Sequence, residues 1–236
     1  MHSVPVDTLF ILSPKMKLPI PRAILFDLDG TLADTAPDLA AALNKIRVRR
    51  NLIPAPYAQL RPHASAGARG LIGAGFGLLP TDDGFEELRV EFLNNYEAAL
   101  VVESELFPGI QELIEGLTKK NLAWGIVTNK ASRFTDPIVP KIGLQAAGCV
   151  ISGDTTAHAK PHPAPLLEAA RRLGIEARDC WYVGDDLRDI EGGRAAGMVT
   201  VAAGWGYCGH VDPIHWNADA LMRSPLDLLG LIESAY

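Results

Sequence analysis

The feature that most narrows what this chain can become is an alternation that starts after Pro108 and Gly109 and runs almost to the end. Short apolar runs at 122–127, 149–152, 180–183 and 199–202 alternate with segments of helical periodicity at 110–119, 132–142, 164–173 and 187–196. A strand covered on both faces reads as a continuous apolar run, and parallel strands need long crossovers, usually helices. The alternation therefore predicts an α/β fold, a Rossmann-like parallel sheet with helices on both faces. The run AILFDL at 23–28, followed by Asp29-Gly30, predicts a further strand and turn of the same sheet.

No convincing strand occurs between 34 and 105. Leu39, Ala42, Leu43 and Ile46 repeat at helical spacing within 37–50, where Pro37 and Asp38 suit a helix start. Leu88, Phe92 and Tyr96 do the same within 85–101, and this stripe is read as packing rather than as a ligand wall. Between these helices, Pro54, Pro56, Pro62 and glycines 67, 70, 73, 75 and 77 break the pattern. The expected organisation is an α/β core at 19–33 and 106–236, with a small helical cap at 34–105 inserted after the first strand. Residues 1–18 have neither periodicity nor caps and are expected to be a loose extension, with Met16 a plausible alternative start. The patch Leu9 to Leu12 lacks the flanks of a signal peptide, and no run approaches the roughly 18 apolar residues of a membrane span.

Composition limits the partners. With 236 residues, 48% hydrophobic and 21% charged, the chain is ordinary folded protein. A net charge of −6 argues against nucleic acid or an anionic membrane as partner, since both call for clustered Lys and Arg. An anionic substrate must then be drawn in by local groups or a metal. Cys149, Cys180 and Cys208 are odd in number and widely spaced, which fits a reducing cytoplasm and indicates neither a disulfide framework nor a cysteine zinc site.

Ligands of open parallel sheets bind beyond the C-terminal strand ends, so the residues following each apolar run matter most. These are Asp27, Asp29, Gly30 and Thr31; Thr128, Asn129 and Lys130; Asp154 and Lys160; and Gly184, Asp185, Asp186 and Asp189. Carboxylates gathered this densely need a cation to stay charged, and an all-oxygen donor set suits a hard ion, Mg²⁺ where phosphate is also bound. Asp186 precedes Leu187 and reads as a helix N-cap, so it is left out of the metal set. Pro161 and Pro163 exclude a helical metal pair from His158 and His162, which read as loop residues. Gly204-Trp-Gly206-Tyr-Cys-Gly209 matches a dinucleotide-binding spacing, but Pro213 stands where the helix should run, so a plain turn is expected.

FDLDGT at 26–31, VTN at 127–129, AKPHPAP at 159–165 and GDDLRD at 184–189 resemble, in order, the four motifs of the haloacid dehalogenase superfamily of phosphohydrolases. The resemblance covers nearly all of 22–222. It implies that Asp27 is a nucleophile forming an aspartyl-phosphate and that Asp29 is the general acid and base. It also implies that Thr128 and the Asn129 backbone hold phosphoryl oxygens and that Lys160 neutralises charge. Mg²⁺ would lie between Asp27, the Asp29 carbonyl and Asp185, with Asp189 a further or water-mediated ligand. An acid at Asp29 points to phosphate esters, because the dehalogenase and phosphonate-hydrolysing branches lack one.

Within that superfamily, DLDGTLADTAPDLAAALN, FPGI and KPHPAPL resemble bacterial phosphoglycolate phosphatases. SAGARGLI, DGFEELRVEFLNNY, WGIVTNKASRF and GDDLRDIEGG are as similar to N-acetylmuramic acid 6-phosphate phosphatases. The first is the leading expectation and the second the alternative; a β-phosphoglucomutase-like phosphotransferase would share Asp27 and Asp29. Both leading substrates carry a carboxylate beside the phosphate, so Arg69, in the glycine-rich stretch SAGARG, is expected to read the non-phosphate end from a loop of the cap. The partner is a small phosphorylated metabolite, and the enzyme a monomer or homodimer.

Overall fold

In the computed structural model, which describes residues 11–12 and 18–235, the strands in chain order are β1 (Ile11–Leu12), β2 (Ala23–Phe26), β3 (Ala33–Asp34), β4 (Glu105–Leu106), β5 (Ala123–Val127), β6 (Val150–Ile151), β7 (Cys180–Gly184), β8 (Val199–Ala203) and β9 (Ala220–Met222). Seven of them form one sheet in the order β1-β9-β8-β7-β2-β5-β6. Every neighbouring pair is parallel except β1 with β9. From β2 the chain winds first through β5 to β6, then crosses back to β7 and on through β8 to β9. The strand order thus reverses beside β2, which is where open sheets leave a crevice.

All residues of β2 are buried, and they divide by parity. Ile24 and Phe26 pack on one side with residues of α5 (Ile110–Lys119), α6 (Ser132–Lys141) and α9 (Pro225–Ala235). Ala23 and Leu25 pack on the other with Leu166, Ala169 and Ala170 of α7 (Ala164–Leu173). Period-two alternation with apolar residues on both sides is what forces a two-faced helical cover. Helix α8 (Leu187–Ala195) lies against β7 and β8.

Between β3 and β4 the chain is helical: α1 (Ala36–Arg49), α2 (Tyr57–Leu60), a 3-10 segment (Arg61–Ala66), α3 (Gly67–Phe76) and α4 (Phe85–Glu97). Leu39, Leu43 and Ile46 of α1 meet Leu71, Ile72, Leu88, Phe92 and Tyr96 in a core continuous with the sheet face above. The two crossings into this insertion lie side by side. Ala33 pairs with Leu106 and Asp34 with Glu105 in a two-residue antiparallel ladder. Asp38, nearly buried, accepts the backbone N–H groups of Val102, Glu103 and Ser104, each at 3.0 Å, so the start of α1 is tied to the returning chain.

Three expectations need correcting. The stretch 34–105 contains Asp34 and Glu105 in strand conformation, in strands too short to leave a periodicity. Ile11–Leu12 is not loose backbone: it pairs with Leu221 and Ala220, meeting the otherwise open edge of β9, and Leu18 is buried against the core. The rest of 1–17 lies outside the described residues. Finally, Arg69 stands not in a loop but on the first turn of α3, although α3 carries four glycines.

Candidate active site

Asp27 follows β2 directly. Its N–H donates to the Val183 carbonyl of β7 at 2.9 Å, which carries the ladder one residue past the strand and delivers the carboxylate to the sheet edge. Asp27 Oδ1 then accepts the Leu28 N–H at 2.8 Å, fixing the side chain. The chain reverses at once, with the Thr31, Leu32 and Ala33 N–H groups all directed at the Leu28 carbonyl. Gly30 makes this possible at φ 87°, and a Cβ there would strike the Asp185 carboxylate. Asp29, projecting from the same loop, is held by Lys130 Nζ at 2.8 and 3.0 Å and by the Thr35 hydroxyl.

The other strand ends converge on this loop. Thr128, buried beyond β5, accepts the Lys130 N–H on its Oγ1 at 3.2 Å, which leaves its own hydroxyl proton free to donate. The Asn129 amide pins the Lys160 backbone from both sides, donating to its carbonyl at 3.0 Å and accepting its N–H at 2.9 Å. Lys160, thereby placed, donates to the Val127 carbonyl at 2.9 Å and to Asp189 Oδ1 at 2.8 Å, and lies 2.9 Å from Asp27 Oδ1. Asp185, fully buried after β7, accepts from Thr31 Oγ1, Ser65 Oγ and the Tyr207 N–H, each at 3.0 Å. Asp186 caps α8 by accepting the Arg188 N–H, and Asp189 returns the bond by accepting the Asp186 N–H at 3.0 Å. The N-cap reading of Asp186 therefore holds.

Burial and mutual repulsion dominate the electrostatics. Asp185 is pushed well above the usual carboxylate range by burial, then by Asp27 and Asp189. Asp189 is pushed up to about 6 by burial, against the pull of Lys160. Lys160 itself loses hydration, but Asp189 and Asp27 more than offset this and raise it. One oxygen from each of Asp27, Asp185 and Asp189 lies within 4.8 Å of the others, and all three residues are buried. Lys160 neutralises at most one of these three charges. A buried, all-oxygen donor set with surplus negative charge fits a hard divalent cation.

Above the carboxylates lies a cavity of about 390 Å³. Asp27, Asp29, Thr128, Asn129, Lys160 and Asp189 line its floor, whereas Asp185 sits behind Gly30 and Ser65. Arg69 does not line it: this side chain is exposed on the outer face of α3. Arg89 of α4 and Arg133 of α6 do line it, beside Phe92, Leu93, Tyr96 and Phe134.

A family model described as haloacid dehalogenase-like hydrolase matches residues 21–197. The chain belongs to the haloacid dehalogenase-like hydrolases. Among its relatives, a phosphoglycolate phosphatase of Xanthomonas campestris pv. campestris is 48% identical over 210 residues, spanning 88% of this chain and 95% of that protein. An N-acetylmuramic acid 6-phosphate phosphatase of Pseudomonas putida is 43% identical over 216 residues, spanning 91% and 97%. The crystal structure of a predicted phosphoglycolate phosphatase from Haemophilus somnus 129pt superposes with a TM-score of 0.80 at 26% identity, covering 91% of this chain and 99% of that one. This haloacid dehalogenase-like hydrolase is thus a phosphatase of phosphate monoesters, with the α/β fold of its neighbours. Among the described residues, no helix is long and apolar enough to cross a membrane.

Several residues of this hydrolase's site escaped the sequence reading. Lys130 was visible at a strand end, but nothing in the sequence paired it with Asp29. Tyr207 lies within the stretch 204–209 that mimics a dinucleotide motif. That stretch is a turn, and its structural task is to bring the Tyr207 N–H to Asp185 and the Tyr207 hydroxyl to the Thr35 and Ala36 N–H groups. Gly206 is needed there because a Cβ would collide with the Gly30 carbonyl and Asp185.

Proposed function

We propose that the chain is a Mg²⁺-dependent phosphatase that acts through an aspartyl-phosphate at Asp27 on a carboxylate-bearing sugar phosphate, of which N-acetylmuramic acid 6-phosphate is the type. The catalytic half of this reading rests on the meeting, at one buried sheet edge, of Asp27, Asp29, Thr128 and Lys160 with a cation-deficient carboxylate cluster. Asp27, Asp185 and Asp189 would hold the ion, directly or through water, together with the Asp29 carbonyl; when bound it screens the approach of an anionic phosphate to an anionic nucleophile.

The steps assigned to the protein's own groups are those the family resemblance implies, and the positions of these groups support them. Asp27 attacks phosphorus, forming a carboxyl–phosphate bond as the ester P–O bond breaks, and Asp29 protonates the departing oxygen. Asp29 then takes a proton from the water that attacks the same phosphorus and frees Asp27. Thr128 donates its unused hydroxyl proton to a phosphoryl oxygen, and the Asn129 backbone N–H supplies a second donor. Lys160 holds Asp27 by one oxygen and leaves the other to react. Lys130 and Thr35 orient the Asp29 carboxylate.

The cavity carries the choice of substrate. At about 390 Å³ it falls in the range of roughly 300–1,000 Å³ that accommodates drug-sized ligands, and far exceeds what a two-carbon acid fills. Phe92, Leu93 and Phe134 supply an apolar wall suited to the faces of a sugar ring. The relative at 48% identity favours a second reading, 2-phosphoglycolate, with the same chemistry and a smaller ligand. The three unpaired cysteines are compatible with a reducing, cytoplasmic setting.

Steady-state hydrolysis with Mg²⁺ across N-acetylmuramic acid 6-phosphate, 2-phosphoglycolate and common hexose phosphates tests the proposal. The highest kcat/KM is expected for the first, with free phosphate released in the absence of any sugar bisphosphate. A higher kcat/KM for 2-phosphoglycolate selects the second reading, and dependence on a bisphosphate activator would indicate a phosphotransferase. Asp27→Asn is expected to abolish turnover; retained turnover overturns the mechanism.

A further inference from the structure

The cations lining the cavity fall into two groups. Lys130, Lys160 and Arg188 are each bound to acids that line the same space, namely Asp29, Asp27 with Asp189, and Asp186. Their charge is already matched within the site. Arg89 and Arg133 pair only with acids outside the lining. Arg89 is clasped by Glu86 through Nε at 2.7 Å and Nη2 at 2.6 Å, Glu86 being exposed and Arg89 partly exposed. Arg133 has Glu97 no nearer than 3.8 Å and makes no hydrogen bond among the described residues. The cavity therefore has a rim with two cations and no lining carboxylate.

The two ends differ in exposure as well as charge. The Lys160 and Asp27 side chains are 2% and 11% exposed, whereas those of Arg133 and Arg89 are 47% and 42% exposed. A molecule seated with its phosphate on the floor has its opposite end at the arginines. Phe92, Leu93, Tyr96 and Phe134 line the same cavity. Arg133 Cζ lies 4.4 Å from the Phe134 ring centroid, and stacking of this kind limits the freedom of a guanidinium while leaving its donors unused.

We infer that Arg133, assisted by Arg89, forms a carboxylate subsite at the rim that selects phosphate esters carrying a second anionic group. This inference rests on the proposed phosphatase function and names the feature of the substrate that the site reads. Planar guanidinium donors match a carboxylate in bidentate fashion. Arg133 is anchored on α6, which packs on the sheet, and Arg89 on α4 of the helical insertion, so a carboxylate held by both bridges the two parts of the molecule. Glu86 is no obstacle, because an exposed ion pair is weak enough to yield to a better-placed anion.

The test compares kcat/KM for N-acetylmuramic acid 6-phosphate and for N-acetylglucosamine 6-phosphate, which lacks the carboxylate, in the wild type, Arg133→Gln and Arg133→Lys. The wild type is expected to favour the acid. In Arg133→Gln the ratio of the two values is expected to fall about 10- to 100-fold, mostly through KM, as for loss of a hydrogen bond to a charged group. Arg133→Lys is expected to recover part of the ratio, since it restores charge without the planar fork. Arg133 is exposed, so an unchanged thermal midpoint shows that the fold is intact. A wild type without preference, or an unchanged ratio in Arg133→Gln, overturns the inference while leaving the phosphatase reading standing. A wild type that hydrolyses neither ester but hydrolyses 2-phosphoglycolate overturns the inference and the sugar-phosphate reading together, and leaves the phosphatase reading standing.

Discussion

Replacing Lys160 by Met measures how heavily the buried carboxylates load this fold. The ammonium is buried, lies 2.9 Å from Asp27 and 2.8 Å from Asp189, and is the cation between them. Met keeps most of the side-chain volume, so the loss is one of charge. Removing one partner of a buried ion pair costs about 3–5 kcal/mol. At about 2–4 °C per kcal/mol for a domain of this size, the metal-free midpoint should fall by roughly 6–20 °C. The sign with pH follows from Asp189, pushed up to about 6, and from Asp185, also raised. An acid whose folded pKa lies above its unfolded value contributes stability that is present below the unfolded pKa and lost as pH rises through the folded one. Without Lys160, Asp189 rises further, so the deficit against wild type should be small near pH 4 and widen through pH 6 to neutrality, the window set by about 4 unfolded and about 6 folded. Thermal melts of both proteins in EDTA at several pH values check this. At neutral pH, Mg²⁺ should return part of the lost midpoint, because it binds the folded carboxylate cluster. A deficit independent of pH, or greater in acid, would refute the argument that Lys160 balances ionised carboxylates.

Two further outcomes follow from groups outside the catalytic floor. Asp38→Ala leaves the N–H groups of Val102, Glu103 and Ser104 without their shared acceptor; a loss of about 3 kcal/mol in urea unfolding is expected, and one below about 1 kcal/mol would mean that water replaces the clamp. His63, in the 3-10 segment of the insertion, stands 3.2 Å from His210 in the loop after β8, and burial foremost, then His210, lowers its pKa. A histidine lowered on folding contributes stability present above its unfolded pKa and lost as pH falls through the folded one, so midpoints should drop below about pH 6.5, and less so in His63→Gln.

The parallel sheet was legible because its strands are apolar on both faces, and the chain just beyond β2, β5 and β7 carries the polar residues that gather at the candidate site. Asp27, Thr128, Lys160 and Asp185 could be named from position alone, since strand ends of one parallel sheet share an edge. Helix α3 was not legible. Gly67, Gly70, Gly73 and Gly75 lower helix propensity, yet a Cβ on Gly75 would strike Leu43 of α1, so close packing on α1 demands what local preference disfavours. Asp38 looked like an ordinary acid in a helix's first turn, and its three bonds to 102–104 cross a separation that no local pattern records. Arg69 was picked because the glycines around it suggested a mobile loop. Arg89 and Arg133 lie on helices α4 and α6, and only the docking of the insertion against the sheet brings them to one cavity.

The two-residue ladder between β3 and β4 has an evolutionary consequence. Paired strands lie about 5 Å apart, so the insertion leaves and rejoins the sheet layer through what is nearly a single doorway. Any helical unit whose ends meet at that spacing can be exchanged, lengthened or reshaped without moving Asp27 or the strands behind it. The cavity floor around Asp27 can therefore stay fixed while the part of the cavity wall that the insertion supplies, among it Ser65, Arg89 and Phe92, is rewritten between Asp34 and Glu105.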